Sequence, residues 1–304
     1  MASSIIFPAF VNEYTGKEQQ AISVYENNFN HLLTTASETL NLGLTEFNFQ
    51  DNNFLNDELK SQYISFIFSC SVADILKYHK VKPKFVSGYS MGIYAALYYC
   101  GSITFNDGLQ LVKKAWENII LSTAGSKFGM GMIVGLKESE ISDLIKTCGG
   151  FEICNQNNPH TFIISGLYDS VEQVLMMAKK EGALRTSALP VSNPYHSKFV
   201  KDAVPAFAIM INNISFANPA YHYVSAINQK IIDTADDIRN EVIENICCKM
   251  NWYNTMNSIL RLGTNNIFEC GAGDGLTRNS KFIDGNYKSY SINKLDKFLE
   301  IASY

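Results

Sequence analysis

Lys84-Phe85-Val86-Ser87-Gly88-Tyr89-Ser90-Met91-Gly92-Ile93-Tyr94-Ala95-Ala96-Leu97-Tyr98-Tyr99 is the stretch on which the reading of this chain turns. Lys84 to Ser87 reads as a brief buried strand, and Ile93 onward carries a helical apolar pattern. Between them stands Gly-x-Ser-x-Gly. In a strand–turn–helix setting that spacing has a mechanical meaning: two glycines permit a turn sharp enough to lift the Ser90 hydroxyl clear of the backbone. The helix start then offers unpaired N–H groups and a positive dipole end to a developing oxyanion. The five-residue pattern alone arises by chance in roughly one chain in ten of this size. Its place between strand and helix gives it weight.

Outward from this point the chain alternates. A short apolar strand, Ile5 to Phe7, opens it and meets Pro8, and periodic stretches at about 18–40 and 57–79 predict helices. Another helix is expected over about 106–123, with Thr104 or Asn106 available to cap it. The character changes near Gly125. From there MGMIVGL, ESEISDLIKTC, FEICNQ, TFIISG, SVEQVLMMAKKEG and ALRTSALPV read in turn as strand, helix, strand, strand, helix, strand. That β-α-β-β-α-β order is the split βαβ, ferredoxin-like signature. Strand and helix then alternate again, with strands at Ile267 to Glu269 and Tyr287 to Ile292. The simplest architecture is an α/β domain built from residues 1–126 and 196–304, with a ferredoxin-like subdomain inserted at 127–195.

Bulk properties exclude several classes. With 304 residues, 46% apolar and 18% charged, the chain can bury a large core, and disorder is not expected. A formal charge of −4, with no basic and aromatic stripe, gives no footprint for nucleic acid. The first residues lack the basic and apolar regions of a signal peptide, and no run of about 18 apolar residues suggests a membrane span. Seven cysteines without CxxC or other metal spacing read as reduced, mostly buried thiols of a cytoplasmic protein. The adjacent pair Cys247-Cys248 is the one oddity among them.

A serine hydroxyl needs a base. Five histidines are available: 31, 79, 160, 196 and 222. His31 and His79 belong to helical stretches with polar neighbours, His160 follows Asn-Asn-Pro in a turn, and His222 lies between two tyrosines in an apparent strand. His196 ends Leu189-Pro190-Val191-Ser192-Asn193-Pro194-Tyr195-His196, where the inserted domain returns to the large one. Domain junctions favour clefts, which puts His196 ahead without closing the question.

Several segments, in order along the chain, carry a resemblance. They are Phe7-Pro8, the Ser90 loop and its helix, Phe105-Asn106-Asp107-Gly108, Gly135-Leu136, Asn155 to Pro159 and Ile164-Ser165-Gly166. The run ending at His196 and Phe268-Glu269-x-Gly271-Ala272-Gly273-x-x-Leu276-Thr277 complete the set. With these the chain resembles the malonyl-CoA:ACP acyltransferases, both free-standing and as domains of polyketide synthases. The resemblance implies an α/β-hydrolase-like large domain and a Ser90–His196 pair whose imidazole is oriented by a backbone carbonyl at Asn245. It implies an oxyanion hole from the N–H groups of Phe10 and Met91. It also implies an acyl carrier protein as partner, a monomer, and no bound cofactor, since the 4′-phosphopantetheine arm arrives on the carrier.

The chain departs from that family at the acyl pocket. The arginine that clamps a malonyl carboxylate falls on Ala115, and no planar cationic fork replaces it in the aligned helix. Phe10 stands where the family carries glutamine, Tyr89 precedes the serine, and Tyr195 precedes the histidine. Ala115, Tyr89 and Tyr195 are therefore the expected acyl-binding positions, in a pocket with less charge and more aromatic surface. Such a pocket is similar to that of the arginine-less acyl hydrolases of trans-acyltransferase polyketide pathways, which remove stalled acetyl and other uncharged acyl groups from carrier proteins. An acyltransferase that loads a carrier, and a non-catalytic carrier-binding scaffold, are the alternatives.

Overall fold

The computed structural model describes residues 2–11 and 13–302. In chain order its elements are β1 (Ser3–Phe7), α1 (Lys17–Ile22), α2 (Glu26–Leu40), α3 (Glu58–Tyr78), β2 (Phe85–Gly88), α4 (Gly92–Tyr99) and α5 (Phe105–Ser122). There follow β3 (Phe128–Val134), α6 (Glu138–Cys148), β4 (Phe151–Asn158), β5 (Thr161–Leu167), α7 (Tyr168–Lys180) and β6 (Arg185–Ala188). The last are α8 (Val204–Met210), β7 (His222–Val224), β8 (Ile231–Ile232), α9 (Ala235–Glu244), α10 (Trp252–Arg261), β9 (Asn266–Glu269), α11 (Gly275–Ser280), β10 (Lys288–Tyr290) and α12 (Leu295–Ala302).

Six strands form one sheet in the order β10-β9-β1-β2-β7-β8, with every pairing parallel except β7 with β8. β1 runs through the middle, its Ile5 opposite Val86 on one side and Phe268 on the other. A parallel strand buried on both faces is mostly apolar: Ile5, Ile6 and Phe7 are wholly inaccessible, and the buried Ser4 hydroxyl is hydrogen-bonded to Thr264 Oγ1 at 2.7 Å. α3 is buried without a break from Ser61 to Ala73, so it is a core helix with little amphipathic contrast. Because the strands are parallel, the chain leaves β1, β2 and β9 at the same edge, where ligands bind in open α/β sheets.

The second sheet is antiparallel, in the order β4-β5-β3-β6, which is the ferredoxin-like arrangement expected from the element order. One face carries α6 and α7 over a separate core of Ile133, Leu144, Phe151, Phe162 and Val174. The other face turns Met130, Cys154 and Ile163 toward Phe10 and Tyr195. A seam joins the two sheets: Met250 N–H donates to the Cys154 carbonyl at 2.9 Å, and Trp252 N–H donates to Asn155 Oδ1 at 3.1 Å.

Boundaries differ from the sequence expectation at the first helix and at the end of the inserted unit. The helix predicted over 18–40 is broken by a 3₁₀ turn at Ser23–Tyr25, where Val24 is exposed and the Tyr25 hydroxyl bonds the His79 ring. The last strand of the inserted unit is only Arg185–Ala188, since Pro190 cannot donate to a ladder. Of the two cap candidates, Thr104 holds the position, in a reciprocal capping box with Asp107. Among the described residues no helix is long and apolar enough to cross a membrane.

Candidate active site

The turn after β2 is as tight as its sequence demands. A Cβ on Gly88 would lie 2.4 Å from the backbone of Ile93, and one on Gly92 would lie 2.2 Å from the Phe7 carbonyl oxygen. Neither space admits a side chain. Ser90 between them takes φ of +55°, a left-handed conformation that costs an L-residue about 1–2 kcal/mol. Strain of this kind persists where surrounding structure enforces it, here the Tyr89 N–H donating to the Phe7 carbonyl at 2.8 Å.

The strained turn delivers the serine to a histidine. Ser90 Oγ lies 2.7 Å from His196 Nε2. His196 also has positive φ, +58°, and its own N–H donates to the Ile246 carbonyl at 2.9 Å, which ties the segment after Tyr195 to the end of α9. The ring is 5% exposed. Burial pushes its pKa down to about 4, against the opposing pull of the backbone carbonyls of Cys248 and Asn245. At neutral pH the imidazole is therefore uncharged and able to accept a proton. Its Nδ1 is buried without a hydrogen bond of ordinary geometry. The Asn245 carbonyl, expected as the orienting group, makes no such hydrogen bond to that nitrogen; it and the Cys248 carbonyl are the backbone groups that pull the ring's pKa upward. The Asn245 side chain has a further contact, donating from Nδ2 to the Ser90 carbonyl at 3.2 Å. Cys247 and Cys248 are half-buried, with their sulfurs 3.9 Å apart.

Two spaces meet at Ser90 and His196. The outer one, a cleft of about 530 Å³ between the two sheets, includes Tyr89, Met130, Asn155, Leu189 and the 272–275 loop, with Arg185 and Arg278 on its walls. Glu269, fully buried at its floor, accepts from the N–H groups of Leu276 at 3.0 Å and Thr277 at 2.7 Å, and so pins the start of α11. The inner space is a chamber of about 40 Å³ lined by Phe10, Gln62, Met91, Ala115, Trp116 and Tyr195, among others. No Lys, Arg, Asp or Glu lines it. The chain has only four arginines, at 185, 239, 261 and 278, and none reaches Ala115.

The expected residues are thereby sorted. Ala115 and Met91 face the inner chamber; Phe10 and Tyr195 line both spaces. Tyr89 belongs to the outer cleft, its ring edge-on to Trp252 and its hydroxyl accepting from Asn155 Nδ2 at 2.8 Å. Among the described residues nothing accepts from the backbone N–H of Phe10 or of Met91, so both remain available to an oxyanion. The other four histidines are absent from both spaces. Gln62, Trp116, Arg185 and Arg278 went unnoticed in the sequence, since single polar residues on helices and strands carry no motif. Among the described residues no cluster of three His, Cys, Asp or Glu side chains could hold a metal ion.

With this geometry in place, the relatives can be set beside it. A family model described as an acyl transferase domain matches residues 24–249. The chain is 29% identical over 197 residues to the polyketide biosynthesis protein ThaF of Burkholderia thailandensis, a match covering 64% of this chain but only 17% of that much longer protein. It is 24% identical over 296 residues to the malonyl CoA-acyl carrier protein transacylase of Bacillus subtilis, covering 95% of this chain and 92% of that one. The crystal structure of FabD from Acinetobacter baumannii superposes with a TM-score of 0.88 at 24% identity, over 99% of this chain and 98% of that one, a likeness of fold.

Proposed function

We propose that this chain, which belongs to the acyl transferase domain family, is a serine-dependent acyl hydrolase that clears short uncharged acyl groups from acyl carrier proteins. One observation carries the choice of acyl group: no Lys or Arg lines the chamber behind Ser90, and Ala115, the position on which the resemblance places the clamping arginine, is part of its wall. A carboxylate buried there without a partner would cost several kcal/mol, on the order of 3–5. About 10–15 Å³ holds one water, so about 40 Å³ admits a few heavy atoms, the scale of an acetyl tail.

The steps follow from the groups present. The phosphopantetheine arm of the carrier lies along the outer cleft and brings the thioester carbonyl to Ser90. Ser90 Oγ attacks the carbonyl carbon while His196 Nε2 takes the hydroxyl proton. The oxyanion is held by the N–H groups of Phe10 and Met91. The carbon–sulfur bond breaks, His196 returns its proton to the thiolate, and an acyl-serine remains. Water then attacks the acyl carbon with His196 again as base, and the free acid leaves with Ser90 restored. Burial keeps the ring uncharged at neutral pH, so its Nε2 is free to accept a proton.

The second reading is transfer of the acyl group to a carrier thiol instead of water, and the transacylase name of the Bacillus subtilis relative favours it. Both readings share the acyl-serine; only the acceptor differs. The separating experiment follows acetyl-carrier protein incubated with the enzyme and a second, unloaded carrier. Free acetate with the second carrier still unloaded supports hydrolysis. Acetyl or malonyl appearing on the second carrier at the rate of its loss from the first would replace hydrolysis by transfer. Resistance of Ser90 to a fluorophosphonate would leave only a non-catalytic scaffold.

The carrier is acidic in general and is received by basic side chains. Lys80, Lys82 and Lys84 precede β2 and so sit at the opposite edge of the sheet from Ser90. Lys198 is paired with Glu152 at 2.9 Å. Arg185, on the wall of the cleft, is better placed.

A further inference from the structure

Glu58 is the second residue of a small network that neither the family motif nor the reaction above uses. It stands in the first turn of α3, half-buried, and most of its side-chain hydrogen bonds run toward the segment that leads into His196. Its Oε2 accepts from the Ser192 N–H at 3.0 Å and the Ser192 hydroxyl at 2.7 Å. Its Oε1 accepts from the Tyr195 hydroxyl at 3.0 Å and from Gln62 Nε2 at 3.4 Å. Gln62 Nε2 also donates to the Tyr195 oxygen at 3.2 Å.

The network has a chemical consequence for the chamber that Gln62 and Tyr195 line. A carboxylate only accepts, so the Gln62 NH₂ must face Glu58, and both its hydrogens are committed there and to Tyr195. The single hydroxyl proton of Tyr195 is spent on Glu58 as well. Two side chains that could have donated to an acyl carboxylate are thus turned away from it, with a fixed negative charge one side chain behind them. Among the described residues, the indole Nε1 of Trp116 is a neutral donor buried in the chamber wall without a partner. Alanine at position 115 offers a carboxylate no attraction; Glu58 adds repulsion, and discrimination is strongest where both are present.

We infer that Glu58 is a specificity-determining residue of this site, whose carboxylate occupies the donors of Gln62 and Tyr195 and excludes acyl groups that end in a free carboxylate. The inference rests on the proposed acyl-serine chemistry. It concerns which acyl group reaches Ser90, whatever acceptor later removes it.

The test reads the rate of Ser90 acylation by intact mass, using N-acetylcysteamine thioesters of acetate, malonate and malonamate on the full chain. Malonamate has the size of malonate without its charge. In the wild type, malonamoyl is expected to acylate Ser90 at least about tenfold faster than malonyl; equal rates would mean that size is the filter, and would overturn the inference. Glu58→Gln is expected to raise the malonyl-to-acetyl ratio at least about tenfold, whereas Tyr195→Phe, which keeps the charge, leaves it within about threefold. A ratio unmoved by Glu58→Gln, or raised as much by Tyr195→Phe, overturns it. If Glu58→Gln does not fold, the wild-type comparison of malonamoyl with malonyl decides. Failure of acetyl to acylate Ser90 at all is a distinct result: it removes the proposed function and this inference with it.

Discussion

The outer cleft and the inner chamber share Ser90, His196, Phe10 and Tyr195, yet they are built on opposite principles. The cleft, about 530 Å³, lies between the two sheets, and its wall includes Arg185, Arg278 and Asp274, with Arg278 Nε 3.1 Å from Asp274. The chamber, about 40 Å³, lies within the large domain between α3, α5 and the serine turn, and no Lys, Arg, Asp or Glu lines it. Around the chamber Gln62 and Tyr195 are hydrogen-bonded to each other and to Glu58, while the cleft carries charged side chains on its wall. The contrast separates two tasks. On the function proposed, the cleft receives the carrier's arm, common to every loaded carrier, and the chamber receives the acyl tail, so changes in the two regions should have different kinetic signatures.

The largest effect belongs to the group both regions share. Ser90→Ala should abolish fluorophosphonate labelling and lower acetate release at least about 10³-fold, because the covalent route disappears. Labelling that survives would mean another nucleophile. Next, Ala115→Arg introduces a guanidinium into the chamber and should raise the malonyl-to-acetyl ratio about 10–100-fold, mainly through malonyl turnover. An unchanged ratio would show that the acyl tail lies elsewhere, and the distinction between cleft and chamber would fail.

A third expectation concerns the base. With the His196 pKa near 4, acylation should be level from pH 8 to about pH 5 and then fall about tenfold per pH unit below pH 4. A mid-point near the ordinary imidazole value of about 6.5 would contradict the buried, neutral ring. The same shift has a sign for stability. Between about pH 6.5 and pH 4 the unfolded chain binds a proton that the folded chain refuses, so the His196 contribution to stability declines as pH falls through that window. The smallest effect is assigned to the cleft. Arg185→Ala should raise KM for acyl-carrier protein about three- to tenfold and leave kcat nearly unchanged, as loss of uniform binding does. A fall in kcat instead would place Arg185 in the chemistry.

The fold was readable where sequence and local physics agree. Gly88 and Gly92 announce a turn because nothing larger fits between β1 and α4, and the wholly apolar Ile5-Ile6-Phe7 announces a central strand. The β-α-β-β-α-β order named the second sheet, since its helices bury one clean stripe each. Ser90 could be read from its motif, whereas His196 needed the order of segments along the chain to stand out from four other histidines. Glu58, Gln62 and Trp116 could not be read. Their role depends on which element the fold lays beside Ser192 and Tyr195, a proximity across 134 and 133 residues of chain in the case of Glu58–Ser192 and Gln62–Tyr195. The break at Ser23–Tyr25 was hidden for a similar reason, because its partner, His79, is supplied by the end of α3.

The central claim is that the wall around the acyl tail, free of cations, sets what this enzyme accepts. Its most direct test is a one-pot competition in which the wild-type protein meets equal amounts of acetyl- and malonyl-carrier protein, is quenched before the first turnover, and is digested to recover the Ser90 peptide. The account predicts that acetyl-serine outnumbers malonyl-serine by at least about 10²-fold. Malonyl-serine present in equal or greater amount would contradict it.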